Sequence, residues 1–209
     1  MKIVTVVGAR PQFIKAAAGS RELRKEHKEI LVHTGQHFDD NMSAVFFREM
    51  GIPEPDYNLG IAGGTHAQMT ARMLMAIEEV LIKEEPDALL VYGDTNSTLA
   101  AALAAVKLRI PVFHVEAGNR LGTLDNPEEV NRIMTDHVAS LNFCATEDSY
   151  GKLCREGLGD RSYCVGNIMY DSFLHFADLP WENPNILDFD GNSVTVPDEY
   201  YYMTCHRQE

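Results

Sequence analysis

Acidic residues stand just past apolar runs at several points in the chain: Asp94 after Ala88–Tyr92, Glu116 after Val112–Val115, and Glu128 with Glu129 after Pro127. In a parallel α/β sheet the carboxyl ends of the strands open into one crevice, so carboxylates distant in sequence can share a site. Carboxylates gathered in this way can transfer protons, one as base and another as acid. Asp94 opens Gly93-Asp-Thr-Asn-Ser-Thr98, which reads equally as a helix N-cap box. Glu128 and Glu129 also suit the first turn of a helix begun by Pro127. Arg132 lies four residues after Glu128 on the same helical face, where it either forms an ion pair or orients Glu128 beside a substrate. Glu116 has no capping signature, and a carboxylate at a strand terminus needs a partner or a purpose.

Cations accompany these acids. Gly8-Ala-Arg-Pro-Gln-Phe-Ile-Lys15 lies where the first strand hands over to the first helix. Free N–H groups at a helix start, with Arg10 and Lys15 nearby, suit a phosphate or diphosphate; two solvated surface cations are the alternative. One Gly in place of G-x-G-x-x-G argues against a standard NAD site. His33, His37, His66, His114 and His137 follow no metal-binding spacing, so no metal is assigned. His206 differs, because it follows a strand candidate and neighbours Arg207 and Glu209.

The elements that would position these residues alternate. Lys2–Gly8 is a β-branched run, and the segment from Pro11 to about Lys25 suits a helix. Strands are expected at 29–34, 88–92, 112–115, 141–145 and 162–165, with helices near 40–50, 65–84 and 97–107. Residues 51–60 are rich in turn formers. Such alternation predicts an α/β fold with a doubly wound parallel sheet. Near Asp178 the character changes to a Pro-rich and Asn-rich linker, followed by a strand candidate at 200–204. The expected domains are therefore 1–178 and, in 179–209, a linker with the first strand of a second domain.

Of the 209 residues, 45% are hydrophobic, enough for a full core. The 18 Lys+Arg against 31 Asp+Glu give a net charge of −13, which repels nucleic acid and anionic membrane surfaces. Cys144, Cys154, Cys164 and Cys205 form no C-x-x-C pair and read as isolated thiols. The apolar stretches are strand-sized, short of the ~18 to 20 residues of a transmembrane helix. A cytoplasmic location is expected.

Together, Gly8–Lys15, Gly93–Thr98, His114-Val-Glu-Ala-Gly118, Pro127-Glu-Glu-Val-Asn-Arg132 and Cys205-His-Arg-Gln-Glu209 resemble the non-hydrolysing UDP-N-acetylglucosamine 2-epimerases. The resemblance implies the Rossmann-like N-terminal part of a two-domain, GT-B-type architecture. It implies a UDP-sugar substrate, no cofactor or metal, and a homodimer to which an N-domain surface contributes. The implied chemistry eliminates UDP to a 2-acetamidoglucal and adds it back with inverted configuration at C2. Asp94, Glu116, Glu128 and His206 become the catalytic set, with Arg10, Lys15 and Arg132 on the substrate side. Two departures stand out. Gln36 is followed by Asp39 where many bacterial members repeat Gln, which speaks against allosteric activation. Asn119-Arg120 resembles relatives acting on diacetamido uronic acid sugars. A half-protein that binds nucleotide sugars without catalysis is the third alternative.

Overall fold

Alternation in the sequence is realised as alternation in space. A computed structural model describes residues 1–36, 47, 50–177, 186–188, 190–195, 199, 201 and 203, and the chain divides into two compact units, 1–174 and 175–209. The first unit holds β1 (Lys2–Val7), α1 (Arg10–Glu26), β2 (Lys28–His33), β3 (Tyr57–Asn58), α2 (His66–Glu84), β4 (Ala88–Tyr92) and α3 (Asn96–Lys107). It continues with β5 (Val112–Ala117), α4 (Pro127–Val138), β6 (Leu141–Cys144), α5 (Glu147–Arg155), a 3-10 turn at Gly159–Arg161 and β7 (Ser162–Cys164). Helix α6 covers Ile168–Ala177, and the described residues of the second unit include an antiparallel bridge between Leu187 and Ser193.

All seven strands are parallel, in the order β3-β2-β1-β4-β5-β6-β7. The chain winds outward from β1 through β2 to β3, then crosses back to the other side of β1 as β4. That reversal opens a crevice at the carboxyl ends of β1 and β4, the place where such sheets bind ligands.

Side chains of successive strand residues point to opposite faces, which splits the core in two. Val4, Val6, Ile30, Val32, Leu89 and Val91 pack with Met73 and Ile77 of α2 and with α3. Ile3, Val7, Leu31, Leu90 and Tyr92 pack with Phe13, Ala16 and Ala17 of α1. Strands covered on both faces read as continuous apolar runs, as these do. Ala100, Ala101, Ala102, Ala104 and Ala105 are all buried. Methyl side chains let α3 lie close to the sheet while also packing on α2 and α4. Its N-terminus is thereby held against the crevice.

The expected strands and helices within the described residues occur within a few residues of their predicted bounds, with two differences. The turn-rich stretch 51–60 contains β3, a two-residue edge strand paired to Val32 and His33. Strand β5 runs to Ala117, two residues past its expected end. Most of the helix anticipated near 40–50, His37, Asp39, most of the strand candidate at 200–204, and His206 lie outside the described residues.

The first crossover is tight. A Cβ on Gly8 would collide with the hydroxyl oxygens of Ser97 and Thr34 and lie 3.1 Å from Ser97 Cβ. Those hydroxyls already bond each other at 2.9 Å. Gly8→Ala is accordingly expected to cost about 1–3 kcal/mol, the usual range for overpacking, seen as a lower urea midpoint at unchanged slope.

Candidate active site

Asp94 is placed by the way β4 ends. Gly93 turns the chain with φ 63°, and its N–H donates to the Val115 carbonyl at 2.9 Å, keeping the ends of β4 and β5 together. The cap of α3 is Thr95, whose hydroxyl accepts the Thr98 N–H at 3.3 Å. The segment thus caps α3, as the N-cap reading has it, through Thr95, which leaves the Asp94 side chain for other partners. Its carboxylate is ion-paired with Arg132 of α4. Its carbonyl accepts a hydrogen bond from Asn131 Nδ2 at 2.9 Å, and the same amide donates to Asn96 Oδ1 at 3.2 Å.

Glu116 is placed by an irregularity. The register of β5 against β6 slips between Val115 and Ala117, leaving Glu116 as the extra residue of a β-bulge. Its φ is 72°, in the left-handed region that L-residues enter at a cost. Bulges recur beside active sites, where they re-aim a side chain. Here the Glu116 carboxylate is ion-paired with the ammonium of Lys15 from α1. A Cβ on Gly93 would sit 3.3 Å from Lys15 Nζ and 3.5 Å from Glu116 Oε2, so this pair lies directly over the Gly93 turn. Lys15 is only 7% exposed. Burial pushes its ammonium below the ordinary value; the charge of Asp94 pulls it back up and Arg132 pushes it further down. Lys15, Asp94, Arg132 and Glu116 therefore share one electrostatic neighbourhood.

Helix α4 supplies the third side. Asn126 caps it, accepting the Glu128 N–H at 2.9 Å, and Pro127 follows as its first residue. Glu128 is half-buried on that first turn. Glu129 is buried, with one oxygen accepting the N–H groups of Leu121 and Gly122 at 2.8 and 3.0 Å and the other meeting Arg132 at 3.0 Å. The sequence offered Glu128 as a partner of Arg132; the structure pairs Arg132 with Glu129 and Asp94. Loop 119–126 is held at its base by Glu129 and by Arg120, which donates to Asp136 at 2.7 Å and to both oxygens of Glu156.

The start of α1 differs from a free anion cradle. Gln12 Oε1 accepts the N–H groups of Gly8 and Ala9 at 2.8 and 3.0 Å, while its amide donates to the Tyr92 carbonyl at 2.8 Å and to Thr98 Oγ1 at 2.9 Å. These amides are committed within the protein. Arg10, exposed at the first residue of α1, supplies the charge there. Gln36 Oε1 accepts from Ser97 Oγ at 2.8 Å. Among the described residues, no group of three or more His, Cys, Asp or Glu is arranged to hold a metal.

The crevice thus presents two carboxylates, from the ends of β4 and β5, each bridged to a cation. Such a site can move protons and can accept an anion beside the cations. A family profile described as UDP-N-acetylglucosamine 2-epimerase matches residues 21–209. The chain belongs to the UDP-N-acetylglucosamine 2-epimerase family. Among its curated relatives, the UDP-2,3-diacetamido-2,3-dideoxy-D-glucuronate 2-epimerase of Pseudomonas aeruginosa is 50% identical over 100% of this chain and 58% of the relative. The UDP-N-acetylglucosamine 2-epimerase of Methanocaldococcus jannaschii is 44% identical, over 100% of this chain and 57% of its own length. A crystal structure of the M. jannaschii UDP-GlcNAc 2-epimerase, in complex with UDP-GlcNAc and UDP, superposes with a TM-score of 0.82 at 45% identity. It covers 84% of this chain and 49% of that one. The chain spans little more than half the length of these epimerases. Within this family frame the doubly wound parallel sheet is the expected fold, and it is the fold observed.

Two pairings escaped the sequence reading. Glu129 carried a signal, because it stands three residues before Arg132, a spacing as good as four for a helical pair. The buried pair His114 and Asp136 had none beyond two polar residues on strongly apolar elements.

Proposed function

We propose that this chain carries the acid/base residues of a UDP-sugar 2-epimerase that removes the C2 proton of a 2-acetamido sugar, expels UDP from C1 to leave the 2-acetamidoglucal, and then adds UDP back at C1 as a proton is delivered to the other face of C2. UDP-N-acetylglucosamine is the substrate on this reading. The observation that carries it is the pairing of Asp94 with Arg132 and of Glu116 with Lys15 at the ends of adjacent strands. A carboxylate must take a proton from one face of C2 while another acid returns one to the opposite face. Glu128 completes the set, and His206 acts beside the sugar and leaving group. Arg10 and Lys15 steady the diphosphate as its charge grows in the transition state. Residues 1–178 form the catalytic domain, 179–209 lead into a nucleotide-binding domain, and two subunits pair through the N-domain. The reaction needs neither NAD nor metal. The product feeds cell-surface polysaccharide synthesis from the cytoplasm. No helix among the described residues is long and apolar enough to cross a membrane.

A second reading rests on the 50% identity to the Pseudomonas aeruginosa epimerase, in which the sugar is a diacetamido uronate. The Arg120 guanidinium, bonded to Asp136 and Glu156, secures loop 119–126 and is not offered to a uronate carboxylate. The test incubates each UDP-sugar in deuterium oxide with this chain, alone and joined to the C-terminal half of a relative. Deuterium at C2 of UDP-N-acetylglucosamine and its 2-epimer, with little turnover by the chain alone, is expected. Deuterium in the uronate only would favour the second reading, and deuterium in neither would sink both.

A further inference from the structure

Behind the site, at the centre of the sheet, lies a buried polar side chain to which the chemistry above gives no part. His114 stands on β5 two residues before the bulge and is 0% exposed. Its Nδ1 is 2.7 Å from Asp136 Oδ1 on α4, and its Nε2 is 2.7 Å from the carbonyl oxygen of Gly93. A carbonyl oxygen can only accept, so Nε2 bears a hydrogen. Asp136 Oδ2 already accepts from the Gly118 N–H at 3.1 Å and from Arg120 at 2.7 Å, which makes it an acceptor on that side. A carboxylate that receives a guanidinium is an anion, and an anion beside Nδ1 also accepts. Each ring nitrogen thus has an acceptor.

We propose that His114 is a positioning residue: with hydrogen on both ring nitrogens, it ties the Gly93 carbonyl at the end of β4 to the Asp136 carboxylate of α4, and so fixes the turn that aims Asp94. The geometry favours this over packing alone. Gly93 immediately precedes Asp94, and its N–H is held by Val115 while its carbonyl is held by His114. The turn is therefore gripped on both sides by β5. Asp136, through Gly118 and Arg120, connects the same imidazole to the far end of the bulge and to the base of loop 119–126. One ring thereby references β4, β5, α4 and the loop to one another. The charges around it are Asp136, Arg120 and, beyond Arg120, Glu156; the neighbouring Cys144 thiol is kept neutral, pushed up to about 12 by burial and by the Asp136 charge. Burial opposes the Asp136 anion, yet the hydrogen bonds and charges of His114 and Arg120 hold it below the ordinary carboxylate value.

The consequence for catalysis rests on the proposed function, but the protonation and the anchoring do not, and the test separates them. Imidazole nitrogen NMR on the 209-residue chain at neutral pH should show a directly bonded hydrogen on both Nδ1 and Nε2 of His114. In Asp136→Asn the Nδ1 hydrogen should be lost, and in His114→Gln the Gly93 carbonyl carbon and the Asp94 amide should shift while β7 signals stay in place. A bare Nδ1 in the wild-type chain overturns the proposal, whatever the variants do or fail to do. Unchanged Gly93 and Asp94 signals in His114→Gln overturn the anchoring claim. If the chain joined to a relative's C-terminal half turns over substrate, His114→Gln should lower kcat by tenfold or more while KM changes less than threefold. The reverse pattern, KM raised at constant kcat, would also overturn it.

Discussion

In the chain joined to the C-terminal half of a relative, Glu116→Gln should lower turnover by roughly two or more orders of magnitude, the scale expected when a general acid or base is removed. Gln keeps the length and shape of the side chain but cannot hold or release the proton. The substitution also strips Lys15 of its ion-pair partner. Lys15 is buried, and its ammonium is already disfavoured by desolvation, so its charge is further destabilised when the carboxylate goes. On the proposed function, the variant is thus expected to lose both proton transfer and part of the positive charge assigned there to the diphosphate, with kcat falling and KM rising. Steady-state turnover, together with deuterium exchange at C2, measures the two parts. Asp94→Asn and Glu128→Gln are expected to fall by similar factors. Near-normal turnover in any of the three would remove that residue from the set.

The second large effect concerns stability. Asp136→Asn should cost about 3–5 kcal/mol, the range for removing one partner of a buried pair and leaving the other uncompensated. Asp136 is 0% exposed and meets His114, Arg120 and the Gly118 N–H with its two oxygens. Asparagine offers one acceptor and places an N–H₂ group against a donor. Urea unfolding reads the loss. The acid limb supplies a second check. The folded Asp136 carboxyl titrates below its ordinary value of 3.8, so its contribution is complete above that pH and is lost as pH falls through the folded value. Wild-type stability should therefore drop more steeply below pH 3.8 than that of Asp136→Asn. Parallel acid limbs would show that the carboxylate is not ionised in the fold.

The architecture was legible because both faces of the sheet are covered. Continuous runs such as Ala88–Tyr92 stand out, and capping residues such as Thr65 mark where the intervening helices begin. Asp94, Glu116, Arg132 and Lys15 were legible as residue types at strand and helix ends. Their partners were not, because pairing crosses 38 residues in one case and 101 in the other. The spacing rule that linked Arg132 to Glu128 is local, and a local rule cannot anticipate a strand-end carboxylate arriving from β4. The extension of β5 was hidden for a related reason. Glu116 interrupts an apolar run as a polar residue would at a strand end, whereas the backbone carries on past it as a bulge. The amides at the start of α1 looked free since nothing in Gly8–Lys15 advertises that Gln12 folds back onto them.

The bulge at Glu116 is a property of how many residues lie between the last pairing of β5 with β4 and its final pairing with β6. Side-chain identity does not create it. Removing one residue there would return β5 to simple alternation and leave Ala117 opposite Cys144, so the interior would keep its phase while the positive-φ position that carries the carboxylate would be gone. Chains descended from this one can therefore change the chemistry at 116 by substitution, whereas losing a single codon there would spare the interior and abolish the bulge that aims the side chain.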